Sequence, residues 1–199
     1  VEGTLEVTKR KITLTSDSAW KYYDGTPLTA KTVKVTKGSF VTGEGAIYDV
    51  TGSQTNADPE PGKNIFTYKT HEHTVAANYD VTVEYGTLRV LKDEKTIALK
   101  ANSDEKVYNG FPLTNNGWQL LGTLAAGDKV SDVVVTGSQT VKGTSDNEIT
   151  SYKITNAKGE DVTGNYNLGE NEKGTLTVTA RPITITAASD SKEYDGKAL

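Results

Sequence analysis

Laid over itself, the chain brings the same short words into coincidence at a constant offset. Tyr23-Asp24-Gly25, Tyr108-Asn109-Gly110 and Tyr194-Asp195-Gly196 stand 85 and then 86 residues apart, each with a lysine two positions before the tyrosine, at Lys21, Lys106 and Lys192. Thr51-Gly52-Ser53-Gln54-Thr55 returns unchanged as Thr136-Gly137-Ser138-Gln139-Thr140, again 85 residues later. Asn78-Tyr79-Asp80-Val81 matches Asn165-Tyr166-Asn167-Leu168, and Gly86-Thr87-Leu88 matches Gly174-Thr175-Leu176 and Gly3-Thr4-Leu5. A period of this length outweighs any domain count drawn from chain length alone, because each copy is expected to fold around its own small core. The phase places the closing strand of a preceding repeat at 1–10, full modules at 11–93 and 94–181, and the opening hairpin of a further repeat at 182–199. The fragment is expected to come from a longer array.

Composition agrees with several modest cores rather than one large one, since 35% of the residues are apolar and 8% aromatic. Thr, Val, Tyr and Gly are prominent, which favours short strands joined by turns, and the expected class is all-β. With no cysteine, a disulfide, a thiolate zinc site and a cysteine nucleophile are all excluded. The net charge of −4 is spread evenly, with 9 basic and 10 acidic residues over 11–93 and 9 and 11 over 94–181. No Lys/Arg cluster offers a nucleic-acid groove, and no apolar stretch is long enough to span a bilayer.

Within a unit the local pattern is that of strands. Ile12 and Leu14, like Ile97 and Leu99, alternate with polar neighbours as a half-buried strand requires. The Asp-Gly and Asn-Gly pairs supply the positive φ of a tight hairpin turn, with Lys-x-Tyr on one face of the entering strand. Val81 to Val90 and Thr175 to Val178 read as strands, and the best helical candidate, Leu120 to Ala126, is short and flanked by glycine. The connections Thr8-Lys9-Arg10-Lys11, Leu91-Lys92-Asp93-Glu94-Lys95 and Thr179-Ala180-Arg181-Pro182 are brief and charged, so an elongated, semi-rigid row of small β modules is expected. The pattern leaves open whether a module is an immunoglobulin-like sandwich or a β-grasp-like sheet.

The words themselves, Lys-x-Tyr-Asp-Gly-x-Pro-Leu-Thr over Lys21 to Thr29, Thr51 to Thr55, Asn78 to Val90, and their second copies over Lys106 to Thr114, Thr136 to Thr140 and Val162 to Val178, resemble the YDG and MBG-type repeat domains. Those domains occur in large adhesin-like proteins of the bacterial cell surface, where many copies precede a wall anchor. The resemblance implies an extracellular, non-catalytic, monomeric module that extends or presents an adhesive tip. It also implies a possible ligand of its own, a host glycan, mucin or matrix protein, and no cofactor. An accessory module of a large secreted carbohydrate-active enzyme would carry the same words. The first unit departs from the pattern at His71 to Ala77, which replaces Lys158 to Gly164 of the second and is the expected seat of unit-specific function.

Few residues are candidates for chemistry. Trp20 stands where the second unit has the charged Glu105, which favours exposure, and an exposed indole stacks on the apolar face of a sugar. Trp118 falls opposite Val33 and continues an apolar face with Leu120, which favours core packing. His71-Glu72-His73 sets two imidazoles on one side of a strand, but with no counterpart in the second unit it reads as a solvated loop; His71 and His73 join Trp20 as ligand contacts, and no metal is expected. Glu160-Asp161, Asp58 and Glu60 lie in hydrophilic loops that offer no converging acid/base pair. The repeated lysines and asparagines make Lys21 with Asn78, and Lys106 with Asn165, the candidate partners of an internal isopeptide crosslink; the competing reading is an exposed strand lysine and a turn-capping asparagine.

Overall fold

The computed structural model describes residues 2–199. It is all-β, with fifteen short strands, two single-turn 3-10 segments and no α-helix among the described residues. In the first unit the strands are β1 (Arg10–Ser16), β2 (Ala19–Tyr22), β3 (Val33–Lys37), β4 (Ala46–Val50), β5 (Gly62–Lys63), β6 (Phe66–Thr70), β7 (Tyr79–Glu84) and β8 (Thr87–Leu91). In the second they are β9 (Thr96–Ala101), β10 (Asp104–Val107), β11 (Trp118–Leu121), β12 (Lys129–Thr136), β13 (Gly143–Thr155), β14 (Asn167–Leu168) and β15 (Gly174–Thr179). Every strand ladder closes within 10–91 or within 96–179.

Each unit is two small sheets. The first has the order β3-β1-β7 and its counterpart β11-β9-β14, with the opening strand in the middle. β1 has a strand on either side, so Thr13 is buried along with Ile12 and Leu14, while Lys11 is exposed and Thr15 half-buried on the same outer face as Thr13. The second sheet is β10-β15-β13-β12 in the second unit. In the first unit it is split into β2-β8-β5 and β4-β6, because the long β13 is there interrupted at Asn64-Ile65 between β5 and β6. Ile12 and Leu14 of one sheet pack with Val50 and Phe66 of the other, with Tyr79 closing the end. This is a sheet-on-sheet core, without the helix that a β-grasp lays across its sheet.

The chain passes between the sheets at one crossing. The opening strands pair in parallel with the closing strands, Arg10↔Tyr79 through Thr15↔Glu84 and then Ala19↔Leu88 through Tyr22↔Leu91. Both members of the pair change sheets together, at Asp17-Ser18 and at Tyr85-Gly86. Gly86 lies against the carbonyls of Ser16 and Asp17, and Gly174 against those of Ala101 and Asn102. A side chain there would enter the neighbouring backbone, which is the physical content of the recurring Gly-Thr-Leu word. The Ser16 hydroxyl receives the Gly86 N–H at 3.0 Å and donates to Asn64 O at 2.6 Å.

Two expectations are corrected. The Tyr-Asp-Gly turn has the positive φ expected of it, 80° at Gly25 and 84° at Gly110, but it closes no hairpin. β2 pairs only with β8, in parallel, and the chain beyond the turn goes on to an isolated bridge, Leu28↔Gln54, matched by Leu113↔Gln139. The Asp24 carboxylate takes the Thr26 N–H at 2.8 Å, an Asx turn that steers the chain out of the sheet rather than back along it. The stretch Leu120 to Ala126 is not helical: its first residues end β11, and Gly122 at φ 113° leads into a turn. Residues 3–9 and 182–199 carry strand words but form no strand, and Leu5, Val7, Ile183 and Ile185 are exposed.

Candidate functional site

The most developed site is the joint between the two units, and it is built from the repeated words. Tyr23, just after β2, is only 4% exposed because it inserts against the second unit. Its ring meets that of Tyr166 edge to face, with centroids 5.5 Å apart and planes at 78°. Both hydroxyls donate to Oδ2 of Asp128, at 3.0 Å from Tyr23 and 2.6 Å from Tyr166. The Tyr166 oxygen in turn receives the Ala125 N–H at 3.0 Å. Burial and the neighbouring Asp128 carboxylate push the Tyr23 phenol up to about 12, and the same two causes raise Tyr166 further.

Around this polar centre Tyr23 and Val90 of the first unit share a buried cluster with Ile97, Ile154, Val162 and Tyr166 of the second. Asn165 adds a second polar grip: its Oδ1 accepts the Ala57 N–H at 2.8 Å and its amide donates to Asn56 Oδ1 at 3.1 Å. The connecting segment is pinned too. The Asp93 N–H donates to Asn165 O at 2.9 Å, and the Asn167 amide donates to Asp93 O at 2.8 Å. A short connection with hydrogen bonds along it, beside a shared apolar cluster, restricts the hinge far more than its length alone would.

A second feature lies on the outer face of β2 and β8. Trp20 is 64% exposed and meets Tyr22 edge to face, centroids 5.8 Å apart. They border an open groove of about 390 Å³ with Ser18, Thr87, Arg89 and Leu91. The strand register sets Trp20 beside Arg89, whose guanidinium has no hydrogen-bond or ion-pair partner among the described residues. In the second unit the corresponding residues are Glu105, Val107 and Thr177, so the groove belongs to the first unit alone.

The remaining sequence candidates fall in separate places. Lys21 spends its ammonium inside its own turn, on Asp24, on Thr26 O at 2.6 Å and on Thr26 Oγ1 at 2.7 Å. That contact holds the Asp24 carboxyl down at about 2. Lys106 does the same with Asn109 Oδ1 at 3.0 Å and Phe111 O at 2.6 Å. No hydrogen bond joins Lys21 to Asn78 or Lys106 to Asn165 among the described residues; Asn78 is exposed, and Asn165 is engaged at the joint. His73 sits 3.3 Å from Glu72, both largely solvated, while His71 lies near Gly45 and holds its carbonyl through the backbone N–H at 2.9 Å. No group of three or more His, Asp or Glu gathers closely enough to share a metal among the described residues. Trp118 is half-buried against Leu99, Ala101 and Ile149.

Asp128, Glu44, Arg89, Tyr22 and the buried Asn64 and Asn147 were not singled out from the sequence. A faint signal existed for the first two: Gly43-Glu44 and Gly127-Asp128 recur at an offset of 84, one short of the main period. No protein-family model matches the chain, and none of the curated proteins matches it. The resemblance to surface-protein repeats therefore rests on the repeated words.

Proposed function

We propose that the chain is a non-catalytic stretch of an adhesin-like protein of the bacterial cell surface, where it serves as a semi-rigid spacer presenting an adhesive domain. The observation that carries this reading is the joint, in which Tyr23 of one unit and Tyr166 of the next share the Asp128 carboxylate. A flexible linker would need no such contact; a spacer that holds its direction does. Solution scattering tests the shape: a radius of gyration near ~16 Å, that of one compact globule of this length, would overturn the spacer. A larger value that rises further in Tyr23→Ala would support both the elongation and the part the joint plays in it.

A second reading is favoured by the Trp20 groove, which places an exposed indole and phenol beside an unpartnered guanidinium. On that reading the first unit also binds a glycan, with the aromatic faces stacking on the sugar and Arg89 meeting an anionic substituent. Binding to a glycan and mucin array that disappears in Trp20→Ala would establish it, and an array left blank by the folded protein would remove it.

A further inference from the structure

Within the two units that carry strands, each half of the joint occurs once more without a partner. Tyr108 stands where Tyr23 stands: its N–H donates to Thr179 O at 2.9 Å, as that of Tyr23 donates to Leu91 O at 2.8 Å. Tyr23 is 4% exposed and Tyr108 is 41% exposed. Phe111 and Val141 face solvent beside it.

The acidic half is repeated at the far end of the first unit. The Tyr79 hydroxyl donates to Glu44 and receives the Val41 N–H at 2.9 Å, as Tyr166 does with Asp128 and Ala125. Glu44 N–H donates to Val41 O at 2.9 Å and Asp128 N–H to Ala125 O at 3.0 Å, so the two turns are the same. Val75 takes the place of Val162, each accepting the N–H of the asparagine before the buried tyrosine at 3.0 Å. Val162 is 4% exposed under the first unit, and Val75 is 54% exposed. Asp128 accepts two phenolic hydrogens; Glu44 accepts one.

We infer that these surfaces are complementary docking faces, each fitted to the opposite face of another unit of this same repeat. The occupant is identified by the filled copy of the site within the chain: Tyr23, Asp128 and Tyr166 show which groups meet, and Tyr108, Glu44 and Tyr79 are the same groups with one member missing at each end. The inference rests on the spacer reading and extends it, because a joint that can be formed at both ends propagates. It differs from the filled joint in one respect. Val141 stands where the Asn56 side chain accepts from the Asn165 amide, so the new contact lacks that acceptor, while the backbone N–H of Lys142 stands where that of Ala57 donates; the contact leans on the tyrosine and on exposed Val41 and Val75.

The test uses the phase of the repeat. Leu199 corresponds to Leu28, so placing residues 29–93 of a second copy after Leu199 completes a third unit that carries Glu44, Val75 and Tyr79 behind Tyr108. Tyrosine nitration with peptide mass mapping reads the outcome. In the parent chain Tyr108 reacts and Tyr23 does not. In the extended chain Tyr108 is expected to become about tenfold less reactive, approaching Tyr23, since reaction requires local opening of the joint. Val75→Asp in the added unit should restore its reactivity. An unreactive Tyr79 peptide reports that the added unit is folded. If it is not, residues 182–199 are replaced by 11–93, which supplies an unaltered first unit in phase. A fully reactive Tyr108 in that chain overturns the inference, whereas a reactive Tyr23 in the parent chain overturns the spacer reading itself.

Discussion

Asn64 and Asn147 hold corresponding places in the two units, each donating both amide hydrogens to a pair of backbone carbonyls. Asn64 reaches Asp17 O and Ala30 O at 2.8 Å, and Asn147 reaches Asn102 O at 2.9 Å and Asn115 O at 2.8 Å. The carbonyls lie 85 residues apart in both cases, and both side chains are fully buried. The amide clamps the point where the opening strand leaves one sheet for the other. Replacing Asn147 by Ala leaves two part-buried carbonyls without their donor, and we expect a loss of about 1–3 kcal/mol in urea unfolding followed on the second unit. Asn64→Ala should do the same to the first.

Gly174→Ala attacks the same crossing from the other side. A Cβ at Gly174 would lie 2.6 Å from Ala101 O and from the Asn102 carbonyl carbon, both backbone atoms. The cost is expected to exceed about 2 kcal/mol, because neither strand can retreat without giving up its ladder. A melting temperature within a degree or two of the parent would contradict this packing.

At the joint, Tyr23→Phe removes one hydroxyl and keeps the ring, so coupling between the units should fall by about 1 kcal/mol. Asp128→Ala leaves two phenols without their acceptor and is expected to cost more, about 2–3 kcal/mol. The double-mutant cycle between positions 23 and 128 should return a non-zero interaction energy, because the residues share one hydrogen bond. Additive effects would mean that the contact carries no coupling.

Alkaline pH should loosen the joint. An unfolded tyrosine titrates near 10 and Tyr23 in the folded chain at about 12, so between those values the folded state holds more protons than the unfolded one. Stability from this group is complete below pH 10 and is lost as pH rises through 12. Spectrophotometric titration should show a late-ionising class of tyrosine that contains Tyr23 and Tyr166, reduced by one in Tyr23→Phe. Ionisation of every tyrosine near pH 10 would argue against a buried phenol–carboxylate centre.

Trp20→Ala should leave stability within about 0.5 kcal/mol of the parent, since the indole is mostly solvated and packs on Tyr22 alone among the aromatics. Any ligand binding by the first unit that survives this change lies outside the β2–β8 groove.

The all-β class was legible in the prominence of Thr, Val, Tyr and Gly and in the alternation at Ile12 and Leu14 or Ile97 and Leu99, and the repeated words mark places where the backbone has no freedom. Gly86 and Gly174 recur since a carbonyl lies against each, and Gln54 and Gln139 recur since each bridges back to a leucine after the tyrosine turn. What stayed hidden is contact at long range. Tyr23 reads as a turn residue, and nothing local reports that its hydroxyl meets a carboxylate 105 positions later. Asp128 and Glu44 escaped notice because they differ in type and the offset slips there by one. The hairpin expected at Asp24-Gly25 failed for a related reason: the turn chemistry was read correctly, but the partner of β2 is β8, which closes the unit 66 residues beyond the turn.

The parallel pairing of first and last strands also decides how a unit responds to being pulled. Chain enters at the start of β1 and leaves at the end of β8, and both strands point the same way as their partners β7 and β2. Tension along the chain therefore drags β1 and β2 lengthwise past their partners β7 and β8, so that the rungs from Arg10↔Tyr79 to Tyr22↔Leu91 bear the load together instead of parting one at a time. A tether made of such units would stay at fixed length up to a threshold force and then lengthen by whole units, so that resistance to shear, set by unfolding rate rather than by equilibrium stability, governs how long it holds.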